Sequence, residues 1–441
     1  MRFVSTRATA GQAAHGATLS EALARGIAPD GGLYVPERFP ALGTAEFDGC
    51  ATLPEVAERL LAPFFAGDPL APQLGAIVRE AFDFPVPLVR LHPSPAGGVD
   101  DDAHVLELFH GPTAAFKDFG ARFLAACLAR IPRADSRPLT ILVATSGDTG
   151  GAVAAAFHRR PGTRVVVLYP KGLVSPRQER QLTCWGDNVT SLCVEGTFDD
   201  CQRLVKAAFA DERLRAGYEL SSANSINVGR LLPQACYYAL ASLETWRRAG
   251  KAPGFVVPSG NLGNVLACVW ARRVGLPIGA ILMGFNANRT VPDYVERGEW
   301  RPRPSIATLA SAMDVGNPSN MERLRHLHPE WRELAGAVGA VSVGDDEIRA
   351  RIRADRGALG QTWCPHTAIA AEAYARLSPG KRSGTPWVLV ATAHPAKFPE
   401  TVEPLIGAPV PVPEPLARLL ELPSRAIPIP ASLDALREAL P

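Results

Sequence analysis

Six lysines stand among the 46 basic residues of this 441-residue chain, at positions 117, 171, 206, 251, 381 and 397. Arginine keeps its guanidinium protonated and cannot act where a neutral amine must attack or take a proton, so these six are the candidates for amine chemistry. Lys117 has the most unusual setting, FHGPTAAFKDFGARFLA over 109–125, between Phe116 and Phe119 in a core-facing segment. Burying an ammonium there is costly unless it is paired or neutralised, and desolvation lowers a lysine pKa, which favours a nucleophilic amine or an imine. The competing readings are a surface lysine with its head in water and one paired with Asp118.

Three polar, glycine-containing segments follow strand-like runs, where open α/β sheets bind ligands. TSGDTGG (145–151) opens a helix whose positive end suits a carboxylate or phosphate, although Ser146, Asp148 or Thr149 could simply cap the first turn. PSGNLGN (258–264) has two glycines that let the backbone approach an anion and form a nest of N–H groups; a tight turn without a ligand is the alternative. In ATAHPAKF (391–398) the hydroxyl of Thr392 needs a partner, either a backbone carbonyl or a ligand ring nitrogen. A fourth segment, SSANSINVGR (221–230), brings Asn224, Ser225 and Arg230 together, neutral donors beside a cation that can grip a dianion. A polar loop with a structural arginine competes with that reading.

Other chemistries find no support. PSGNLGN does not match G-x-G-x-x-G, and no G-x-x-x-x-G-K-[ST] or G-x-S-x-G exists, against dinucleotide, P-loop and hydrolase sites. His326 and His328 are close, but their neighbours have no metal-ligand spacing, so no metal is expected. A net charge of +2 without a basic stripe argues against nucleic acid. The first 20 residues lack the apolar stretch of a secretory signal, and no apolar run approaches the roughly 20 residues that cross a bilayer. Eight scattered cysteines without C-x-x-C read as reduced and structural, in the cytoplasm.

The elements that must position these residues read as α/β. From 139 onward strand-like runs alternate with helical patterns: 139–145, 164–169, 189–196, 254–259, 278–284 and 387–393, with helices through 150–157, 198–210 and from Leu262. The first 100 residues differ, with a helix near 53–61 and a turn-rich stretch at 29–40, and form an N-terminal subdomain. Segments 96–102 and 247–254 read as boundaries, and the proline-rich tail from Pro395 wraps the surface. A chain this long needs two or more subdomains.

In one order, HGPTAAFKDF, SGDTG, SANSINVGR, PSGNLGN, DVGNPSN (314–320) and TAHPAKF closely resemble the threonine synthases of many bacteria and fungi, a family of fold-type-II pyridoxal-phosphate enzymes. STRA, APDGGLYVPE and the closing LLELPSRAIPIPASLDALREAL resemble it too, so the likeness spans nearly the whole chain. The resemblance implies two open α/β domains, like the tryptophan synthase β subunit, plus an N-terminal subdomain. The division would be 1–96; 97–132 with 240–441 as the large cofactor-binding domain; and 133–239 as a small mobile domain.

It also implies roles. Lys117 would carry the cofactor as a Schiff base and later move protons. Gly260, Asn261, Leu262, Gly263 and Asn264 would cradle the cofactor phosphate, and Thr392 would bond the pyridine nitrogen. Ser146, Asp148 and Thr149 would receive the substrate, and Asn224, Ser225 and Arg230 its phosphate. The implied reaction takes O-phospho-L-homoserine and water to L-threonine and phosphate, in a monomer or homodimer without nucleic-acid or membrane partners. Many fold-type-II relatives have Asn where this chain has Asp148. An acceptor-only carboxylate cannot donate as an amide would, which leaves its contact open. The alternatives are a hydroxyamino-acid dehydratase, a phospholyase that stops at elimination, or a silent binding protein on the same scaffold.

Overall fold

The computed structural model describes residues 1–8, 16–91, 102–132 and 137–441; the expected boundary at 96–102, apart from Asp102, and the expected start of the small unit at 133 lie outside them. In chain order the strands are β1 (Phe3–Ser5), β2 (Tyr34–Pro36), β3 (Leu88–Arg90), β4 (Ala103–Glu107), β5 (Leu139–Ala144), β6 (Thr163–Pro170) and β7 (Val189–Glu195). They continue with β8 (Glu219–Ser222), β9 (Gly254–Pro258), β10 (Ile281–Phe285), β11 (Gly339–Ser342), β12 (Trp387–Ala391) and β13 (Ile427–Pro430).

β1 and β2 form an antiparallel pair of their own, and the rest make two sheets. One has the order β11-β10-β9-β12-β4-β3, parallel except at β3; the other is β13-β7-β6-β5-β8, parallel throughout. The central strands LTILVA, GFVVP and WVLVA are buried at every residue, as strands covered by helices on both faces must be. The α/β fold expected from the alternating runs is thus observed.

Two edges depart from the expected division of the chain. β3, within the first 96 residues, pairs with β4 of the six-stranded sheet, and β13, near the end of 240–441, pairs with β7 of the five-stranded one. β13 reads IPIP, and prolines lack an N–H for the ladder, so such a strand is tolerated at an edge and gives little strand signal beforehand. The tail expected on the surface from Pro395 starts buried, at 395–398, and only beyond that runs over the surface, where it also buries Leu416, Ile429 and Leu436.

The N-terminal segment has no core to itself. Phe65, Phe82 and Phe84 meet Phe119 and Phe123 with ring centroids 4.8 to 6.3 Å apart, so it buttresses the helix Lys117–Leu128. The expected boundary at 247–254 is a helix stop, where Gly250 is left-handed after the helix Ala235–Ala249 and before β9.

Candidate active site

Five parallel strands, β4 and β5 and β8 and β9 and β12, end toward one cavity, and the segments leaving them carry every residue given a site role from the sequence. All thirteen line it: Lys117; Ser146, Asp148 and Thr149; Asn224, Ser225 and Arg230; Gly260 through Asn264; and Thr392. The cavity is small, about 100 Å³, and shares Phe198, Gln202, Asn261 and Val315 with a wider cleft of about 990 Å³. Residues from both sheets thus converge on the crevice beyond their carboxyl ends, where ligands bind in open α/β folds.

Lys117 begins its helix, half-buried at the cavity wall, with Nζ 4.4 Å from the centre of the Phe116 ring. The competing pairing with Asp118 does not occur. That carboxylate accepts from Thr113 N at 2.9 Å and Thr113 Oγ1 at 2.7 Å. Burial, then the charge of Arg230, lowers the Lys117 pKa to about 8 against an opposing pull from Asp148. Near neutral pH a useful fraction of the amine is therefore unprotonated.

In the 145–151 segment the capping alternative gives way to a different residue. Thr145 Oγ1 accepts from Gly147 N at 3.0 Å and Gly150 N at 2.8 Å, which closes the loop and leaves Ser146 and Thr149 on the cavity. Gly147 has φ of +135°, a backbone only glycine adopts readily, and the Gln178 amide occupies the space a Cβ would need. Asp148 is engaged by Lys397 Nζ at 2.7 Å and Gln178 Nε2 at 2.9 Å. Burial works to raise its pKa, but the charge of Lys397 and these two bonds hold it below the usual carboxylate range.

The 258–264 loop turns sharply. Leu262 is left-handed, with φ of +63°, an uncommon state for a branched side chain that recurs at ligand clamps. Asn264 accepts at Oδ1 from Tyr237 at 2.5 Å and Tyr238 at 2.8 Å. Those hydroxyls turn its Nδ2 away, and that buried donor has no partner among the described residues. Asn261 Nδ2 donates to Ser225 Oγ at 2.6 Å, tying this loop to the 221–230 segment.

Arg230 is 2% exposed, and burial lowers its pKa to about 10. It donates through Nη1 to Ala223 O, whereas Nε is buried without a partner, as is Asn224 Oδ1. Gly120, one turn after Lys117, makes room for it, since a Cβ there would lie 2.6 Å from Arg230 O. The structural arginine of this region is another one. Arg323 donates to Tyr34 O at 3.0 Å, Ser225 O at 3.4 Å, Ile226 O at 2.6 Å and Asn320 Oδ1 at 2.7 Å, so it holds the loop while Arg230 keeps an N–H unspent.

Thr392 uses its backbone on Phe116 N and Thr367 Oγ1, and its own hydroxyl has no bond among the described residues. His366, also lining the cavity, accepts from Ala312 N at 3.1 Å, and burial lowers its pKa to about 4, so it is neutral. Sequence reasoning missed His366, Gln178, Tyr237, Tyr238 and Arg323. Lys397 alone carried a signal, as one of six lysines and a member of TAHPAKF. No group of three or more His, Cys, Asp or Glu residues placed to hold a metal occurs among the described residues.

The site can therefore offer a partly neutral amine, an unspent amide donor in a left-handed loop, a guanidinium without an acid partner, and a free hydroxyl at a strand end. An aldehyde cofactor with a phosphate and a basic ring nitrogen fits that donor set. The family described as pyridoxal-phosphate-dependent enzymes matches residues 81–393, which sets the class and its cofactor, pyridoxal phosphate. The threonine synthase N terminus matches 2–82, and the threonine synthase C-terminal family matches 367–440.

Threonine synthase from Serratia marcescens is 40% identical over 425 residues, covering 96% of each chain, and that of Escherichia coli 39% identical over 426. The crystal structure of the Escherichia coli threonine synthase superposes with a TM-score of 0.86 at 37% identity, over 99% of both chains. A Brucella melitensis threonine synthase with pyridoxal phosphate bound gives 0.88 at 34%, over 99% of this chain and 98% of that one. The chain belongs to the threonine synthase family.

Proposed function

We propose that the chain converts O-phospho-L-homoserine and water into L-threonine and phosphate, with Lys117 as the lysine that holds pyridoxal phosphate and moves protons. When bound, the cofactor supplies an electron sink that acidifies carbon–hydrogen bonds near the substrate amine. Gly260, Asn261, Leu262, Gly263 and Asn264 hold its phosphate through the loop's backbone N–H groups and Asn264 Nδ2. Thr392 Oγ1 bonds its ring nitrogen; a neutral hydroxyl there, in place of a carboxylate, leaves that nitrogen largely unprotonated.

Lys117 Nζ takes protons from the α- and then the β-carbon as phosphate leaves the γ-carbon, and returns protons to the γ- and α-carbons; water adds its hydroxyl at the β-carbon, and its remaining proton ends on the released phosphate. Arg230, Asn224 and Ser225 bind the substrate phosphate and take up its charge as it departs. Ser146 and Thr149 receive the amino-acid end at the positive terminus of the helix Asp148–Phe157. Asp148 borders that subsite, but its carboxylate is occupied by Lys397 and Gln178, so it shapes the subsite more than it binds substrate.

One observation carries the reading: Lys117 Nζ and an Arg230 guanidinium with no ion pair among the described residues line the same cavity. The testing experiment is phosphate release from O-phosphohomoserine with product identification. Threonine is the expected product; a keto acid would reassign the chain to elimination alone.

A second prediction concerns Gly260, where an added Cβ would lie 2.8 Å from Met313 Cα, a backbone atom that cannot swing aside. Gly260→Ala is expected to weaken pyridoxal-phosphate binding about tenfold or more, since overpacking costs ~1–3 kcal/mol. Absorbance titration of the apo-protein measures it.

The same reading takes 133–239, joined by the edge strand β13, as the unit that moves relative to 97–132 with 240–441. It also puts the enzyme in the cytoplasm, as a monomer or homodimer. Eight buried thiols without disulfides support that compartment. Among the described residues no helix is long and apolar enough to cross a membrane.

A further inference from the structure

Lys397 has so far figured only as the partner of Asp148. Its side chain is fully buried, yet it does not line the cavity. Nζ donates to Thr113 O at 2.8 Å and pairs with Asp148 Oδ1 at 2.7 Å. Thr113 leads into the Lys117 helix after β4, Asp148 opens the helix after β5, and Lys397 follows β12, so one ammonium joins three strand-end segments from both sheets.

Neighbouring bonds cross the same junction. Ser175 Oγ donates to Lys397 O at 3.1 Å, Arg177 Nη1 to Ala396 O, and Gln181 Nε2 to Thr113 O at 3.0 Å. A buried ammonium facing a buried carboxylate survives only as a matched pair, because removing one partner strands the other in a low-dielectric interior.

The charged and titratable groups around this point are few. Arg230 and Asp148 both bear on Lys117. His366 and His394 are neutral, the Cys364 thiol stays protonated because burial raises its pKa, and Asp118, a second carboxylate that bears on Lys397 though not on Lys117, is hydrogen-bonded to Thr113. Asp148 is therefore the anion that opposes deprotonation of Lys117, and Lys397 is the cation that offsets it.

We propose that Lys397 is a positioning residue of the reaction centre: through Asp148 it locks the start of the helix Asp148–Phe157 to the end of β12, and it neutralises the carboxylate that Lys117 would otherwise face. This rests on Lys117 being the cofactor lysine. Removing Lys397 strands Asp148 as a buried, unpaired anion, which favours the protonated form of Lys117.

The test uses the full chain stripped of cofactor, with pyridoxal phosphate added across a pH series and visible absorbance read as a measure of attachment. In Lys397→Met the midpoint for attachment is expected to rise by about one pH unit or more, the size of shift that one close charge produces. Adding Asp148→Asn, which removes the anion as well, is expected to return the midpoint toward the wild-type value.

An unshifted midpoint in folded Lys397→Met, or a double variant shifted as far as the single one, overturns the proposal. If Lys397→Met does not fold, folding of the double variant supports the pair, and its failure to fold overturns it. Wild type and Lys117→Ala run alongside: no absorbance from wild type would sink the assignment of Lys117 itself, whereas a normal wild type beside indifferent variants sinks only the role of Lys397.

Discussion

Lys117→Ala is expected to lower kcat by at least about 10⁴-fold, the upper range for a single positioned acid–base group, and to remove the visible absorbance of the pyridoxal-phosphate holoenzyme. The two losses have one cause, because the same Nζ attaches the cofactor and then moves protons. His366 cannot take over. Burial holds its pKa at about 4, and its Nε2 is occupied by Ala312 N–H. Lys397 cannot either, with Nζ spent on Thr113 and Asp148. Thermal stability should change little, since Lys117 makes no ion pair among the described residues and faces the cavity. Steady-state kinetics with an absorbance scan decide the matter, and an alanine variant that keeps both turnover and colour would refute the assignment.

Arg230→Met carries the second large effect. It should lower kcat/KM for phosphohomoserine by about 10²–10³, the usual cost of removing one donor aimed at developing negative charge. Cofactor attachment should persist, because the loop from Gly260 to Asn264 is a separate cradle. Stability should hold or rise. Arg230 is buried with no carboxylate in ion-pair reach among the described residues, Nε lacks a partner, and an apolar chain of similar length removes that penalty. A variant that is inactive yet melts at the same or a higher temperature is the expected signature of a charge kept for function. Arg230→Lys should rescue only in part, since an ammonium cannot both bond Ala223 O as Nη1 does and present a second N–H in a fixed fork. If Arg230→Met keeps full kcat/KM, the phosphate is bound elsewhere.

Much of the fold was legible because buried parallel strands are short, apolar and β-branched, and LTILVA, GFVVP and WVLVA satisfy all three. β4 was not read as a strand. AHVLE carries His104 and an acid within five residues, and only its place between β12 and β3 makes it central. β13 escaped because its prolines argue against a strand. The edge position that permits them is visible only in the sheet. The register of the first segment against the Phe119 and Phe123 rings depends in the same way on packing between distant stretches.

By itself the sequence determined the chemical inventory: an amine between aromatic residues, glycine loops after strands, a cluster of amide, hydroxyl and guanidinium, and their order along the chain. Local residue types set these, because backbone freedom, helix ends and side-chain donors are properties of neighbours. The tertiary structure alone decided how each group is spent. It gave Thr145 the turn expected of its neighbours, occupied Asp148 with Lys397, and had Tyr237 and Tyr238 orient Asn264. It assigned loop support to Arg323, so that Arg230 retains an unpartnered N–H. Buried hydrogen bonds and ion pairs between residues far apart in sequence depend on how two sheets meet, and no local pattern encodes that geometry.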